Sequence, residues 1–352
     1  MHGWVSFWGG GGPLENAALA VDLFFVLSGF ILFSKYWGEI SDLGSLRRFL
    51  VFRVARIYPL HAVTLVVVVA IFGLSVIKGG ELFNELRTPD SLVYEALLIH
   101  GIGVTPNTSW NAPSWSISAE YVTYFIFGLV CMLAAVHKFA IWLGVGLFIY
   151  SGFMLFQNGT LLDAHAYALA RCIYSFFIGI MCAVVTKRKG VGHFSISSVT
   201  FLEAAVVVAC FCAIASSDRG VSTLLLPWIF AVSVIVFSAD RGLLSRLLAS
   251  TPFKKGGELS YSIYMWHIPV LFVIQAVLSI LGLGNCFDQM DRGWERLFAI
   301  LFFLAATITV ANLSYIFIEV PARNGVKVWY KRKYGASSAM ATAAVGGKEG
   351  LR

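Results

Sequence analysis

Arg53 and Arg56 stand three residues apart in the segment RRFLVFRVARIYP (47–59), so a helix carries both on one face. Two guanidinium groups on one face, braced by Pro59, can grip a multiply phosphorylated ligand through charge-assisted, forked hydrogen bonds. Arg48 supplies a further cation on the same segment. Arginine just before a long apolar run also snorkels to lipid phosphates or fixes topology, so both readings stand at this point. Upstream, VDLFFVLSGFILF (21–33) holds Asp22 and the pair Ser28–Gly29 inside an apolar stretch. Downstream, Glu120 closes NAPSWSISAE (111–120), where Pro113 and Trp115 mark a helix entry at the outer interface and Ser114 or Ser116 is placed to cap it. A charge at the centre of an apolar span costs at least about 2.5–3.5 kcal/mol, which makes Asp22, Glu120 and Arg171 candidates for function. The competing reading of Glu120 is a first-turn carboxylate favoured by the helix dipole, and that of Asp22 a paired structural carboxylate.

Histidine is the side chain best matched to general-base work near neutral pH, and the chain has seven. His137 and His193 fall in loops on one side, His100 and His165 on the other, and His61 follows the arginine segment. His267, in LSYSIYMWHIPV (259–270) with Pro269 just beyond, has a functional case from its setting. His2, by position alone, is a terminal residue.

The elements that hold these residues follow from composition. Hydrophobic residues make up 58% and charged ones 13%, with a mean hydropathy of +0.79, which excludes an ordinary soluble domain. Runs long enough to cross a bilayer predict nine helical spans near 17–34, 58–77, 117–137, 139–156, 166–186, 199–216, 222–238, 259–283 and 296–320. The expected fold is all-α, a polytopic integral membrane bundle. Alternating the loops across nine spans puts 20 of the 26 Lys and Arg on one side, five on the other and Arg171 within a span. That asymmetry is the positive-inside signature: the basic side, with the C-terminus, faces the cytoplasm. The +7 charge is thereby topological and calls for no nucleic acid. Cys131, Cys172, Cys182, Cys210 and Cys212 fall in spans and Cys286 in an outer loop; no pair or cluster has metal-ligand spacing, so no metal is expected. Residues 1–16 lack a signal-peptide pattern and read as an outer segment, 17–325 as the membrane domain, and 326–352 as a basic, then low-complexity, disordered tail from Gly335.

DLFFVLSGF (22–30), Arg53 to Pro59, PSWSISAE (113–120), SYSIYMWHIP (260–269) and IEVPAR (318–323) occur in that order. In this the chain resembles the type-3 membrane acyltransferases, which O-acylate cell-envelope and exported glycans and other hydroxyl acceptors. The resemblance implies acyl-CoA, acetyl-CoA in the first instance, as cytoplasmic donor, bound by Arg53, Arg56 and Arg48. It implies a bacterial inner (plasma) membrane location, and a catalytic His about twenty residues before the Asp of DLFF. His2 matches that position, with Asp22 or Glu120 orienting it or the acceptor. Ser28, Ser116, Tyr261 and His267 are then substrate-contacting or structural, and Trp115 offers a stacking face to a sugar. Direct base catalysis and an acyl-histidine intermediate both fit. Members of the family have ten helices with an inside N-terminus, so a start at Met1 is expected to omit most of the first. An inactive truncated form, a scaffold and a transporter are the alternatives; the last would show an internal repeat, and none is visible.

Overall fold

The computed structural model describes residues 16–76, 87–104, 110–162, 166–189, 195–217, 220–282 and 293–346. His2, His165, His193 and Cys286 lie outside them. Among the described residues there are helices and no strands. In chain order these are α1 (Val21–Tyr36), α2 (Leu43–Val76), α3 (Pro89–Ala96), α4 (Ser114–Val136), α5 (Ala140–Asn158), α6 (Ala168–Lys189), α7 (Ile196–Ala215), α8 (Leu226–Phe237), α9 (Leu243–Leu248), α10 (Thr251–Ile280), α11 (Gly293–Ser314) and α12 (Val320–Gly346). Eight helices are long and apolar enough to cross a membrane. The ninth expected span, 222–238, is the shorter apolar helix Val221–Phe237. Its first five residues are 3-10 and the remaining 12 are α8. At about 2.0 and 1.5 Å rise per residue that amounts to roughly 28 Å, close to a bilayer's hydrocarbon thickness.

Two boundaries differ from the sequence expectation. The span expected at 58–77 is the later part of α2, one helix of 34 residues. Its start is set by Asp42, whose Oδ1 accepts from Ser45 N–H at 2.8 Å while Ser45 Oγ accepts from Asp42 N–H at 3.1 Å. All four arginines of the segment therefore ride on the same helix as the span, with Pro59 inside it. At the other end, α11 runs through a π-helical turn, Tyr315–Glu319, into α12. No break falls at 325/326, and the helix continues to Gly346 where a disordered tail was expected from Gly335. Four alanines and a methionine in AMATAA (339–344) favour helix there.

The bundle centre is the α1–α6 pair. A Cβ on Gly29 would fall 1.9 Å from Phe176 O, and one on Gly179 2.0 Å from Val26 O. Each glycine thus lets the partner's backbone approach as close as small-residue packing in membranes allows. The same pair is locked by charge. Fully buried Arg171 donates through Nη2 to Asp22 Oδ2 at 2.6 Å and through Nε to Oδ2 at 3.0 Å. Its remaining donors reach Leu161 O at 2.7 Å and Ala18 O at 2.8 Å, and Ser175 Oγ donates to Asp22 Oδ1 at 2.8 Å. With every strong donor matched, the pair meets the condition under which a buried ion pair is tolerated.

Candidate active site

Four helices converge on one cavity of about 160 Å³. α1 contributes Ser28, α2 Arg53 and Arg56, α4 Ser116, Glu120 and Tyr124, and α10 Tyr261 and Tyr264. Glu120 is the carboxylate among the lining side chains. It accepts hydrogen bonds from Ser28 Oγ and Tyr124 OH, both on Oε1. Oε2 takes no hydrogen bond among the described residues, so it is available to a ligand. Helical spacing explains the pairing: Tyr124 is four residues beyond Glu120 on α4 and shares its face. Across the cavity, Ser116 Oγ lies 2.8 Å from Tyr264 OH, which donates to Pro113 O at 2.9 Å. Tyr261 OH donates to Ile57 O at 2.6 Å, tying α10 to α2 one residue past Arg56.

Both arginines border the cavity, Arg53 half-buried and Arg56 exposed. Arg53 stacks near Tyr36, Phe49 and Tyr124, with its guanidinium carbon 5.7, 5.8 and 5.9 Å from the ring centroids. Its one hydrogen bond among the described residues is a long contact from Nη2 to Tyr36 OH at 3.5 Å, and its buried Nε has no partner. A buried, unmatched guanidinium N–H is costly unless an anion arrives to accept it. Arg48 lines a second, outlying cavity that shares Arg53 and Arg56 with the first.

The remaining candidates separate. Asp22 is spent on Arg171, away from the cavity lining. Trp115 is 8% exposed, in a T-shaped contact with Phe25 at 6.2 Å and 5.1 Å from the Arg171 guanidinium, so it packs within the bundle and leaves little surface for a sugar to stack on. Ser114 and Ser116 do not cap α4, whose N-cap is Pro113 without a side-chain bond. Both hydroxyls turn inward instead. His267 Nδ1 donates to Tyr264 O at 2.5 Å, leaving Nε2 as the acceptor nitrogen of the neutral ring, and the residue does not line the cavity. It supports Tyr264 from one turn away.

A second polar cluster sits beside the site on the α3 side. Glu95 accepts from Trp110 N–H at 3.3 Å, Asn111 N–H at 2.8 Å and Ser114 Oγ at 3.0 Å. His61 Nε2 donates to Glu95 O at 2.8 Å, and His100 stacks on His61 at 6.5 Å with Nε2 3.0 Å from Ser114 Oγ. Burial, with His61 alongside, pushes the His100 imidazole down to about 3. Sequence reading passed over Glu95, Tyr124 and Tyr264. Only Tyr124 carried a usable signal, its spacing from Glu120.

A membrane helix bundle with a cavity lined by arginines and by a carboxylate among hydroxyls has the makings of a group-transfer site. A family model described as an acyltransferase domain matches residues 2–316, and the chain belongs to that family, the type-3 acyltransferases. Peptidoglycan O-acetyltransferase OatA of Listeria monocytogenes is 26% identical over 346 residues, covering 90% of this chain and 53% of its own length. Acyltransferase MdmB of Streptomyces mycarofaciens is 38% identical over 115 residues, 32% of this chain and 28% of its own. The chain thus spans about half, or less, of the length of these curated relatives. No solved structure matches it.

Proposed function

We propose that this chain transfers an acyl group, acetyl in the first instance, from cytoplasmic acyl-CoA to a hydroxyl of an envelope or exported glycan. The observation that carries the reading is the shared cavity, which Arg53 and Arg56 line together with the Glu120–Ser28–Tyr124 cluster and in which the buried Arg53 Nε has no hydrogen-bond partner. The arginines would take the donor's diphosphate, which leaves the thioester arm to extend along α1 and α4 toward Glu120. The acceptor oxygen then attacks the thioester carbonyl; the C–O bond forms, the C–S bond breaks, and the thiolate leaves with CoA. The hydroxyl proton passes to a base, a role the family resemblance gives to His2. Glu120 acts as a positioning residue, its free Oε2 accepting a hydrogen bond from the acceptor hydroxyl or the base and so orienting the reacting groups. Glycan acceptors agree with the name of the Listeria relative, a peptidoglycan O-acetyltransferase. The excess of Lys and Arg on the α1–α2 loop side argues that this side and the C-terminus are cytoplasmic, in a bacterial plasma membrane.

The test uses the full chain in membrane vesicles with radiolabelled acetyl-CoA and glycan acceptors. Label should reach the glycan, and Arg53→Ala with Arg56→Ala should raise KM for acetyl-CoA at least tenfold. Unchanged donor affinity in the double variant would sink the phosphate grip, and movement of the glycan without modification would make the chain a transporter.

A further inference from the structure

The outlying cavity holds about 540 Å³ and is lined by six cations, Lys35, Arg48, Arg53, Arg56, Arg323 and Lys327, against one carboxylate, Glu39. Two of these cations come from α12, far along the chain, and the position of α12 is set by its aromatic residues. Tyr330 packs on Phe52 with centroids 5.4 Å apart, and the Arg47 guanidinium lies 4.0 Å over the Tyr334 ring. Residues 323, 327, 330 and 334 follow the i, i+4, i+7, i+11 pattern, a single stripe on the helix. Because 334 meets 47 and 330 meets 52, the helices run antiparallel, and the same register brings 323–327 opposite Arg56. The aromatic half of the stripe docks α12 on α2, while the cationic half holds two positive charges across a cavity from Arg48, Arg53 and Arg56. The Glu319 carboxylate interacts with both Arg56 and Arg323 and offsets part of this charge, and the remaining excess of cations repels until a polyanion lies between them.

We propose that Arg323 and Lys327 hold the ribose 3′-phosphate of the CoA donor while Arg53 and Arg56 hold its diphosphate. The assignment follows from order along the path. Arg53 and Arg56 border both cavities and are nearest the reacting end, whereas Arg323 and Lys327 border only the outlying one. CoA carries its phosphates in the same order, the diphosphate toward the thioester arm and the 3′-phosphate at the nucleotide end. This inference rests on the reading of the inner cavity as an acyl-CoA site. The shared chemistry is that of a phosphate group, which an anionic lipid headgroup also presents.

Isothermal titration of the full chain in phosphatidylcholine nanodiscs, with acetyl-CoA and with 3′-dephospho-acetyl-CoA, tests it. The wild type should prefer acetyl-CoA by on the order of tenfold, the scale of one charge-assisted contact. Arg323→Gln and Lys327→Gln should each lower affinity for acetyl-CoA and leave that for the dephospho form unchanged. Arg323→Lys, which keeps charge and fold, should retain most of the preference. Equal wild-type affinity for the two thioesters overturns the inference and leaves the donor site standing; binding of neither overturns the donor site itself. Phosphatidylglycerol retained by wild type and lost by Lys327→Gln in native mass spectrometry, with no preference between thioesters, would assign these cations to lipid and also overturn it.

Discussion

At the scale of single residues, the polar groups inside this bundle divide by whether their hydrogen bonds are complete. Asp22 and Arg171 satisfy one another with help from Ser175 and two carbonyls, so their contribution is to structure. Removing one partner leaves the other charge buried and unmatched, a loss of about 3–5 kcal/mol. Arg171→Met should therefore abolish a monodisperse peak in detergent chromatography, while pairing it with Asp22→Leu should recover much of the lost stability. Glu120 is different, with one oxygen occupied and one free. Glu120→Gln keeps the shape and should lower turnover about a hundredfold or more with donor KM little changed; turnover within a few-fold of wild type would show that Glu120 only shapes the cavity wall. His100 gives a pH signature. Its folded-state value lies near 3, well below the ordinary 6.5, so the native state stays neutral where the unfolded chain takes up a proton. Stability should be complete above about pH 6.5 and fall below it, by up to about 1.4 kcal/mol per pH unit. Thermal melts from pH 7 to 5 should show that slope, and His100→Asn should flatten it.

At the scale of elements, the apolar runs made nine helices legible, because lipid leaves the backbone no alternative to internal hydrogen bonds. Charge placed the arginine segment beside a span but did not show that α2 begins at Leu43, since Asp42 and Ser45 look like ordinary loop residues until their reciprocal bonds are seen. Arg53, Arg56, Ser28, Ser116, Glu120 and Tyr261 were all singled out in the sequence, and the fold brings these six into one cavity. Trp115 was singled out for a stacking role for which its packing leaves little surface, because sequence gives no sign that Phe25 and Arg171 pack against it. The least legible feature was the partnership of α1 with α6, which are separated by more than 130 residues. Gly29 and Gly179 carry it. Alanine at either position places a methyl group about 2 Å from a partner carbonyl oxygen, far inside contact distance. Separating these helices would also pull Ser28 away from Glu120. Gly29→Ala and Gly179→Ala should therefore lower both melting temperature and turnover, whereas Gly146→Ala, which meets nothing within 4 Å on α5, should change neither.

For the whole molecule, the proposed reaction requires donor and acceptor to approach from opposite sides of the membrane while their reacting groups meet, and the geometry of α2 suits that requirement. A helix of 34 residues is about 51 Å long against a hydrocarbon core of about 30 Å, so several of its turns stand outside the core. Those turns carry Arg47 and Arg48, pack against the aromatic stripe of α12, and wall the basic outlying cavity. Arg53 and Arg56 then stand where that cavity meets the inner one, and Glu120 lies deeper, on the second turn of α4. An anionic donor entering from the α12 side would reach Glu120 without crossing the bilayer, and an acceptor would arrive from the side where α4 begins. The path works only if α12 and the start of α4 lie on opposite faces of the membrane. Cysteines introduced at Val104, between α3 and α4, and at Lys333 on α12 test this in spheroplasts of a cysteine-free background. A membrane-impermeant maleimide added outside should label Val104→Cys and leave Lys333→Cys unmodified until the membrane is permeabilised. Labelling of both from outside would break the link between the basic cavity and cytoplasmic acyl-CoA, because the arginines would then open to a compartment that holds no such donor.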